Sequence, residues 1–257
     1  MPAEPSSSTR SSPPQRRFSA ERLAKIREIE GWHFWFVGRE ALLDNLLATH
    51  VRPGQDVLDV GCGTGYWSRR LAGAGLRPVG LDLRPEGLAA LRRGTAPTRA
   101  VRAHATCLPL APSSFDAVLL LDVLEHVDDV ALLGEVWRVL RPGGRAFLTV
   151  PAMPALWSYR DEAAGHRRRY TRASLRRVVA GQHLVLEDLR YYHCLLLPVV
   201  VASRVLGRRG PAVRDAEERP PRLLNSAFTT VNRLEVRLGR RIRWPWGSSL
   251  IAVCRKP

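Results

Sequence analysis

The sequence predicts an α/β fold in which a mostly parallel sheet carries helices on both faces. Short apolar runs alternate with stretches of helical periodicity between residues 56 and 150, and turn residues separate them. Alternation at this spacing favours parallel strands joined by crossover helices. A chain of 257 residues with 45% hydrophobic residues can bury a core of that size and carry an appendage.

Each element of this fold has its own signal in the sequence. We expect strands at 56–60, 78–83, 115–121 and 145–150, a weaker one at 99–103, and helices at 67–74, 85–93 and 130–140. The run Arg141-Pro-Gly-Gly144 should stop the last of these helices. The alternation then ends, and we expect an Arg-rich loop at 151–170, a capped helix at 171–180, a strand at 184–191, a helix at 223–238 and a closing strand at 250–254.

The segments divide into four predicted units. Residues 1–17 are rich in Ser, Pro and Arg and are expected to be a disordered leader. Residues 18–50 form a helical cap that contains the aromatic cluster 32–36. Residues 51–190 and 248–257 form the main domain, and 191–247 form a helical insertion.

The composition indicates the cellular compartment of the protein and whether a metal site is expected. No apolar run reaches the ~18 residues of a membrane span, and the first residues lack the apolar segment of a secretory signal, so we expect a cytoplasmic protein. The cysteines at 62, 107, 194 and 254 have no metal-binding spacing, which predicts reduced thiols and no metal site.

The chain carries a large positive charge. Its 40 Lys and Arg exceed its 24 Asp and Glu by 16, and nearly all the cations are Arg. Such an excess favours an anionic partner, such as nucleic acid, acidic lipid or a phosphorylated substrate, but a compositional bias toward Arg explains it about equally well.

The most informative motif is the glycine loop Asp59-Val-Gly-Cys-Gly-Thr-Gly65. A strand that runs into such a loop and then a helix brings backbone close to a ligand, because a Cβ there would collide with it or forbid the turn. The dinucleotide pattern needs a further Gly where Tyr66 stands, so that class is excluded. Asp82, at the end of the next strand, can accept hydrogen bonds from both hydroxyls of a ribose. A tight turn without a ligand is the alternative.

Residues 56–151 resemble the class I S-adenosylmethionine-dependent methyltransferases, in the type 11/12-like group. The resemblance is carried by Val57–Gly65, Gly80-Leu-Asp82, Leu108-Pro-Leu110, Phe115-Asp116, Leu121-Asp-Val-Leu-Glu-His126 and Leu140-Arg-Pro-Gly-Gly144. It implies a Rossmann-like, doubly wound, seven-stranded sheet with an antiparallel last strand. The insertion then lies between strands six and seven, where the class usually has a short turn.

The resemblance also implies a site for S-adenosylmethionine. Its residues here would be Asp59, Gly61, Cys62, Gly63, Gly65, Asp82, Leu83, Ala105 and Asp122. The class supplies an Asp to the adenine amino group at the place where this chain has His104, and the backbone of Ala105 could serve instead.

A narrower resemblance covers both flanks. His33-Phe-Trp-Phe-x-x-Arg39 is similar to a His-Trp-Trp-Phe-x-x-Arg leader of bacterial methyltransferases, and the segments Tyr159–Tyr170 and Trp244–Leu250 are similar to later motifs of that group. This likeness adds Trp35 and Arg39 to the expected cofactor site, with the aromatic cluster as its roof. Aromatic residues at this density otherwise form core.

Methyl transfer from a sulfonium is an in-line displacement, which needs a base only if the acceptor loses a proton. His126, His166 and His33 are candidate bases, and Tyr170 is a further catalytic candidate. His126 could instead be a helix-entry residue, and His166 a solvated loop residue. The Arg-rich segment predicts an anionic substrate near Arg169 and Tyr170, unless these Arg pair with Asp161 and sheet-edge carbonyls.

The apolar stretch 191–203 between Arg190 and Arg204 would make a helix ~20 Å long, too short to span a bilayer. We favour a lid buried on the sheet over contact with a membrane surface.

The expected function is methylation of a small or lipid-linked, anionic acceptor. RNA methylation and a non-catalytic binding module are the alternatives. The Asn/Asp-Pro-Pro-Tyr/Phe motif of base-amine methyltransferases is missing after the fourth strand, which argues against methylation of adenine or cytosine amines but not of other RNA sites. The oligomeric state is open.

Overall fold

The computed structural model describes residues 20–92, 98–206 and 218–257. The predicted leader 1–17 and most of the Pro-rich linker 208–222 lie outside these residues. The described part contains one seven-stranded sheet in the order β3-β2-β1-β4-β5-β7-β6. Its strands are β1 Asp56–Val60, β2 Arg77–Asp82, β3 Arg99–Arg102, β4 Phe115–Leu121, β5 Leu140–Pro151, β6 Val185–Tyr192 and β7 Ser249–Arg255.

All neighbouring strands from β3 to β5 are parallel, and β7 runs antiparallel to both β5 and β6. The predicted doubly wound sheet with an antiparallel last strand is therefore confirmed. β1 and β4 lie at its centre because Val57, Leu58, Val118 and Leu119 are fully buried. Apolar clusters cover both faces, and this explains why these strands read as continuous apolar runs.

Along the chain, α-helices precede β1 and stand between most successive strands. Their bounds are α1 Ala20–Ile29, α2 Phe34–His50, α3 Tyr66–Gly73, α4 Pro85–Arg92, α5 Asp129–Val139, α6 Tyr159–Ala164, α7 Arg172–Ala180, α8 Leu197–Leu206 and α9 Arg222–Leu238. Short 3-10 turns occur at Leu124–His126 and Pro154–Leu156.

Two helices differ from the sequence-based expectation. The sequence predicts a helix over 39–49, but α2 already begins at Phe34, within the aromatic cluster, because His33 caps it and its Nδ1 accepts from the N–H of Trp35 at 3.2 Å. The expected loop 151–170 contains α6, whose first turn is closed by a capping box between Ser158 and Asp161. Ser-x-x-Asp at 158–161 was a readable signal for that start.

The Arg-Pro-Gly-Gly run does not simply separate a helix from a strand. β5 already begins at Leu140, opposite Phe115, and the register then shifts so that Arg145 pairs with Ala117. Gly143 has φ +79, which places it in the left-handed region that favours glycine. The run is thus a bulge within the strand.

The insertion folds against the N-terminal cap rather than on the sheet. In α9, Asn225 Oδ1 accepts from the N–H of Phe34 and Asn232 Nδ2 donates to the Phe34 carbonyl, both at 2.9 Å. The Phe228 ring meets Phe34 edge-on at 5.1 Å between centroids. Gly38 permits this approach, since a Cβ there would stand 2.7 Å from Asn232 Nδ2.

The expectation of a lid helix buried on the sheet is wrong for the outer part of this insertion. Within α8 only Val200 is buried, and the exposed side includes Val199, Val201, Val205 and Leu206. The apolar residues that are buried, Cys194 and Leu196, come before the helix. Among the described residues, no helix is both long and apolar enough to cross a membrane.

Candidate functional site: a cofactor cleft at the carboxyl edge of the sheet

The glycine loop joins β1 to α3 at the centre of the sheet. Gly61, Gly63 and Gly65 have φ of +68, +52 and +77, so each lies in the left-handed region. A Cβ on Gly61 would approach Val123 to 2.6 Å, and one on Gly65 would approach Leu91 to 2.5 Å. The left-handed turn favours glycine at all three positions, and the packing requires it at Gly61 and Gly65.

A further glycine brings α4 against this loop. A Cβ on Gly87 would stand 1.9 Å from the carbonyl oxygen of Gly63, so only glycine allows the helix to lie there. Gly87 was absent from the sequence-based site because it lies in a helix, where glycine carries no local signal.

Asp82 links the loop to the end of β2. Its Oδ2 accepts from the N–H of Gly63 at 2.9 Å and its Oδ1 accepts from the N–H of Arg84 at 2.8 Å. Leu83, the next residue, is half exposed beside it. The carboxylate is thus fixed next to the loop, as a ribose-binding group must be.

Asp59 lies behind the loop rather than at its surface. Its side chain is buried, and Ser68 Oγ in α3 donates to its Oδ2 at 2.6 Å. Burial raises the pKa of Asp59 to about 6, and the charge of Asp82 adds to this effect. Cys62 is buried as well, and burial raises the pKa of its thiol. These contacts tie the loop to α3.

The N-terminal cap covers the loop from the other side. Thr64 Oγ1 donates to Glu30 Oε2 at 2.6 Å, and Leu23 of α1 is buried within 3.6 Å of the position that a Gly63 Cβ would take. Burial raises the pKa of Glu30. α1 is held to the segment before α9 by ion pairs of Lys25 with Glu218 at 3.3 Å and of Glu28 with Arg219.

Two residues predicted for the cofactor site pair with each other. Arg39 of α2 forms an ion pair with Asp122 at the end of β4. Asp122 has φ +56 and also accepts from Thr149 Oγ1 at 3.0 Å. A non-glycine residue held in the left-handed region at a strand end is a feature that active sites often contain.

Trp35 stacks on His193 with ring centroids 4.1 Å apart and an angle of 19°. His193 is buried, which lowers its pKa to about 4, and Nδ1 lies 3.2 Å from Asn232 Oδ1. The aromatic leader therefore packs on the insertion through Trp35 and Phe34, and His193 is a partner that the sequence did not indicate. His33, considered as a base, is buried as the cap of α2.

The adenine end remains less defined. His104 is exposed, and its Nδ1 lies 2.8 Å from Thr106 Oγ1 and accepts from the Thr106 N–H at 3.3 Å. Ala105 is partly buried against the main core cluster. The imidazole of His104 is therefore engaged with its own turn, and the adenine contact through Ala105 stays a prediction.

A cluster of Glu125, His126 and His166 lies beyond Asp122. The two imidazole rings meet edge-on at 4.9 Å between centroids, and His166 Nε2 lies 3.9 Å from Glu125 Oε1. Burial lowers the pKa of His126 to about 4, with a smaller effect of His166, and burial raises that of Glu125 well above its ordinary value. The sequence indicated both histidines but not Glu125.

The other predicted contacts of this region are structural. Tyr170 is buried, and its hydroxyl donates to Asp129 Oδ2 at 2.9 Å. Arg169 donates to Asp161 Oδ1 at 2.7 Å and to the Ala152 carbonyl at 2.9 Å. The alternative, pairing with Asp161 and a sheet-edge carbonyl, is the arrangement that forms. An anionic substrate at Arg169 and Tyr170 is not supported by these contacts.

The sheet order, the left-handed glycine loop and the acidic end of β2 together define the class I methyltransferase fold. Residues 58–148 match the family model of the methyltransferase domain. Residues 58–148 therefore form a methyltransferase domain of this class, which uses S-adenosylmethionine as its cofactor.

Particular relatives share this part of the chain. A protein of Mycolicibacterium smegmatis named as a probable S-adenosylmethionine-dependent methyltransferase is 34% identical over 137 residues, 52% of each chain. Demethylmenaquinone methyltransferase of Beutenbergia cavernae is 42% identical over 121 residues, 45% of this chain and 49% of the relative. The chain thus spans about half the length of the curated relatives that it matches.

The fold likeness extends further than the sequence likeness. A chain in the complex between the Trm112 methyltransferase activator of Haloferax volcanii and a methyltransferase superposes with a TM-score of 0.63. The match covers 93% of this chain and 95% of that one at 22% identity. At this identity the likeness establishes the fold alone.

Asp82→Ala is expected to weaken S-adenosylmethionine binding by about 1–3 kcal/mol, or about 5- to 150-fold, because two ribose hydroxyls lose their acceptor. Asp82→Asn keeps one oxygen for the Gly63 N–H and should lose less. Calorimetric titration of both variants checks this. Equal affinity of wild type and Asp82→Ala would contradict the role.

Proposed function

We propose that the whole chain transfers a methyl group from S-adenosylmethionine to a small or lipid-linked acceptor that carries an anionic group. The observation that carries this proposal is the position of His126. It follows the strand end that bears Asp122, a predicted cofactor residue, and its imidazole is neutral at physiological pH because its pKa is about 4. A neutral imidazole, which carries a lone pair that can accept a proton, thus follows the strand end where the methyl donor is predicted to bind.

The chemistry requires no covalent intermediate. A lone pair on the acceptor oxygen or nitrogen attacks the methyl carbon, the carbon–sulfur bond breaks, and the pair moves to sulfur to leave S-adenosylhomocysteine. The proton of the acceptor passes to the imidazole of His126. The protein contributes alignment of the three atoms and removal of that proton.

Arg22 and Arg160, which act on each other electrostatically, support an anionic acceptor. Burial and the charge of Arg160 lower the pKa of Arg22, and the charge of Arg22 acts in turn on His126. Two guanidinium groups that repel each other in a half-buried place are stabilised by an anion between them. Asp161 and Glu218 offset part of this charge.

The insertion supports a lipid-linked acceptor. Its exposed apolar side includes Leu195, Val199 and Val201, and the start of α9 adds Leu223 and Leu224. Demethylmenaquinone methyltransferases, whose name gives demethylmenaquinone as the acceptor, are among the relatives of this domain. An acceptor with an apolar tail would bring this side of the molecule to a membrane surface.

The test has two stages. Calorimetry should show that the purified chain binds S-adenosylmethionine, and a radiolabelled methyl donor should then label one of a panel of phenolic, phosphorylated and isoprenoid acceptors. Arg160→Gln should raise KM for the acceptor about tenfold and leave cofactor affinity unchanged. Arg176→Gln, an exposed residue on α7, is the matched control.

Each outcome decides one part of the proposal. Absence of cofactor binding would refute methyl transfer by this chain. Cofactor binding with equal KM values for Arg160→Gln and wild type would refute the anionic group while leaving the activity in place.

A further inference from the structure

Glu125 is a buried carboxylic acid beside the two histidines. Its side chain is fully buried, and neither carboxylate oxygen has a hydrogen-bond partner within the described part of the chain. Such a group is costly unless it binds a ligand that completes it. His166 Nε2 lies 3.9 Å from Glu125 Oε1, which is too long for a hydrogen bond.

Both histidines beside it have hydrogen-bond partners other than Glu125. His166 Nδ1 lies 2.9 Å from Asp161 Oδ1, and Asp161 is itself held by Arg169. Burial raises the pKa of Asp161, but the hydrogen bonds from His166 and Arg169 outweigh it and hold that pKa well below the ordinary range. His126 is hydrogen-bonded to the backbone of Gly165. An imidazole with one nitrogen fixed by an outer acceptor is the arrangement that metal-binding histidines have.

The donor atoms of the three residues lie within 4.8 Å of one another. Around a tetrahedral cation that binds its ligands at about 2.1 Å, neighbouring ligand atoms stand about 3.4 Å apart. Small side-chain rotations close the difference. The backbone keeps the residues together, because the N–H of Arg167 donates to the Glu125 carbonyl at 2.8 Å.

We propose that Glu125, His126 and His166 form a site for one divalent transition-metal cation of the Zn²⁺ or Mn²⁺ type. Two imidazoles and one carboxylate suit such ions better than Mg²⁺ or Ca²⁺, which prefer oxygen. The cation would balance Glu125 and leave coordination positions open toward the cleft. Arg22, Arg39 and Arg169 lie near enough to affect these groups, so the cation must compete with their charges.

The site deepens the proposed function but is tested without it. An acceptor hydroxyl bound to the cation would lose its proton more readily, and this would replace proton uptake by His126 in the metal-loaded protein. The sequence predicted no metal because Glu125-His126 and His166 are far apart along the chain and only the packing of the 165–169 segment on the end of β4 unites them.

The experiment titrates Zn²⁺, Mn²⁺ and Co²⁺, each alone, into tag-free, chelator-treated full chain. One equivalent of at least one cation should bind, and Co²⁺ should give the visible d–d absorption of a low-coordinate nitrogen–oxygen site. Glu125→Gln, His126→Gln and His166→Gln should each lower the affinity about tenfold or more. His183→Asn removes an exposed imidazole elsewhere and should change nothing.

Circular dichroism verifies that each variant is folded. A folded wild type that binds none of the three cations would overturn the proposal, and so would equal affinity of the wild type and the three site variants. S-adenosylmethionine titration of the same samples is read separately. Metal binding without cofactor binding would refute the proposed function and retain the metal site.

Discussion

Gly63→Val is expected to abolish measurable S-adenosylmethionine binding while the sheet stays folded. At φ +52 a residue with a Cβ destabilises the fold by about 1–2 kcal/mol, and a β-branched residue destabilises it by more. A Cβ at Gly63 would meet Leu23 at 3.6 Å and the Gly61 carbonyl oxygen at 3.9 Å, both ordinary contact distances, so the packing can accommodate it. The two additional methyl groups need further space beside the loop, where the cofactor is predicted to bind.

The measurement is a calorimetric titration of the variant beside its thermal unfolding. Gly54→Val is the matched control, because Gly54 has φ +83 and open space around it, at the other edge of the sheet. It should lose a similar amount of stability and keep its cofactor affinity. Equal affinity in Gly63→Val and the wild type would show that the loop is not the binding site.

Glu125→Gln is expected to raise stability and lower activity. Burial, with the charge of Asp122, raises the pKa of Glu125 in the folded protein, while Arg39 and Arg169 only partly oppose this. Methyl transfer should fall about 100-fold or more, since the buried carboxylate completes the proton-handling cluster. Removal of the uncompensated acid should stabilise chelator-treated protein by about 1–3 kcal/mol at pH 8.

The gain in stability from Glu125→Gln is expected to depend on pH. In the unfolded chain Glu125 loses its proton near pH 4.5, whereas the folded protein retains it to a higher pH. The folded state is therefore penalised progressively as the pH rises from about 4.5 to the folded pKa. The gain from Gln should be small at pH 5 and largest at pH 8.

Urea unfolding of wild type and Glu125→Gln across that pH range measures the effect. Glu162→Gln, which changes an exposed acid on α6, serves as the control and should show no such trend. A stability difference that is constant with pH would contradict an uncompensated acid at Glu125. Unchanged activity would separately remove Glu125 from the acceptor end of the site.

The glycine loop and the acidic end of β2 were predictable because their signals are local. A glycine needed for a left-handed turn, as at Gly61 and Gly65, is visible in seven consecutive residues, and Asp82 ends the next apolar run. The parallel part of the sheet followed from the alternation of strands and helices, and its antiparallel last strand followed from the resemblance to class I methyltransferases. Asp59 was predicted to lie in the cofactor site, but its side chain lies behind the glycine loop and accepts a hydrogen bond from Ser68.

The rest of the site depends on contacts between distant segments. Arg39 and Asp122 were predicted separately, and only folding pairs α2 with the end of β4. The role of the Arg-rich segment likewise depended on tertiary contacts, because Asp161 forms hydrogen bonds with both Arg169 and His166. A sequence shows the charge of these residues but not which partner neutralises it.

Sequence alone determined the alternating sheet and the glycine loop, because backbone geometry and hydrophobic periodicity act between near neighbours. Its motifs indicated the class of cofactor through their resemblance to class I methyltransferases. Tertiary structure alone decided that α9 rests on α2, that α8 keeps an apolar side exposed, and that an uncompensated Glu125 faces two oriented histidines. Burial and electrostatic pairing depend on three-dimensional distance, and for these residues that distance is set by the packing of segments far apart in the chain.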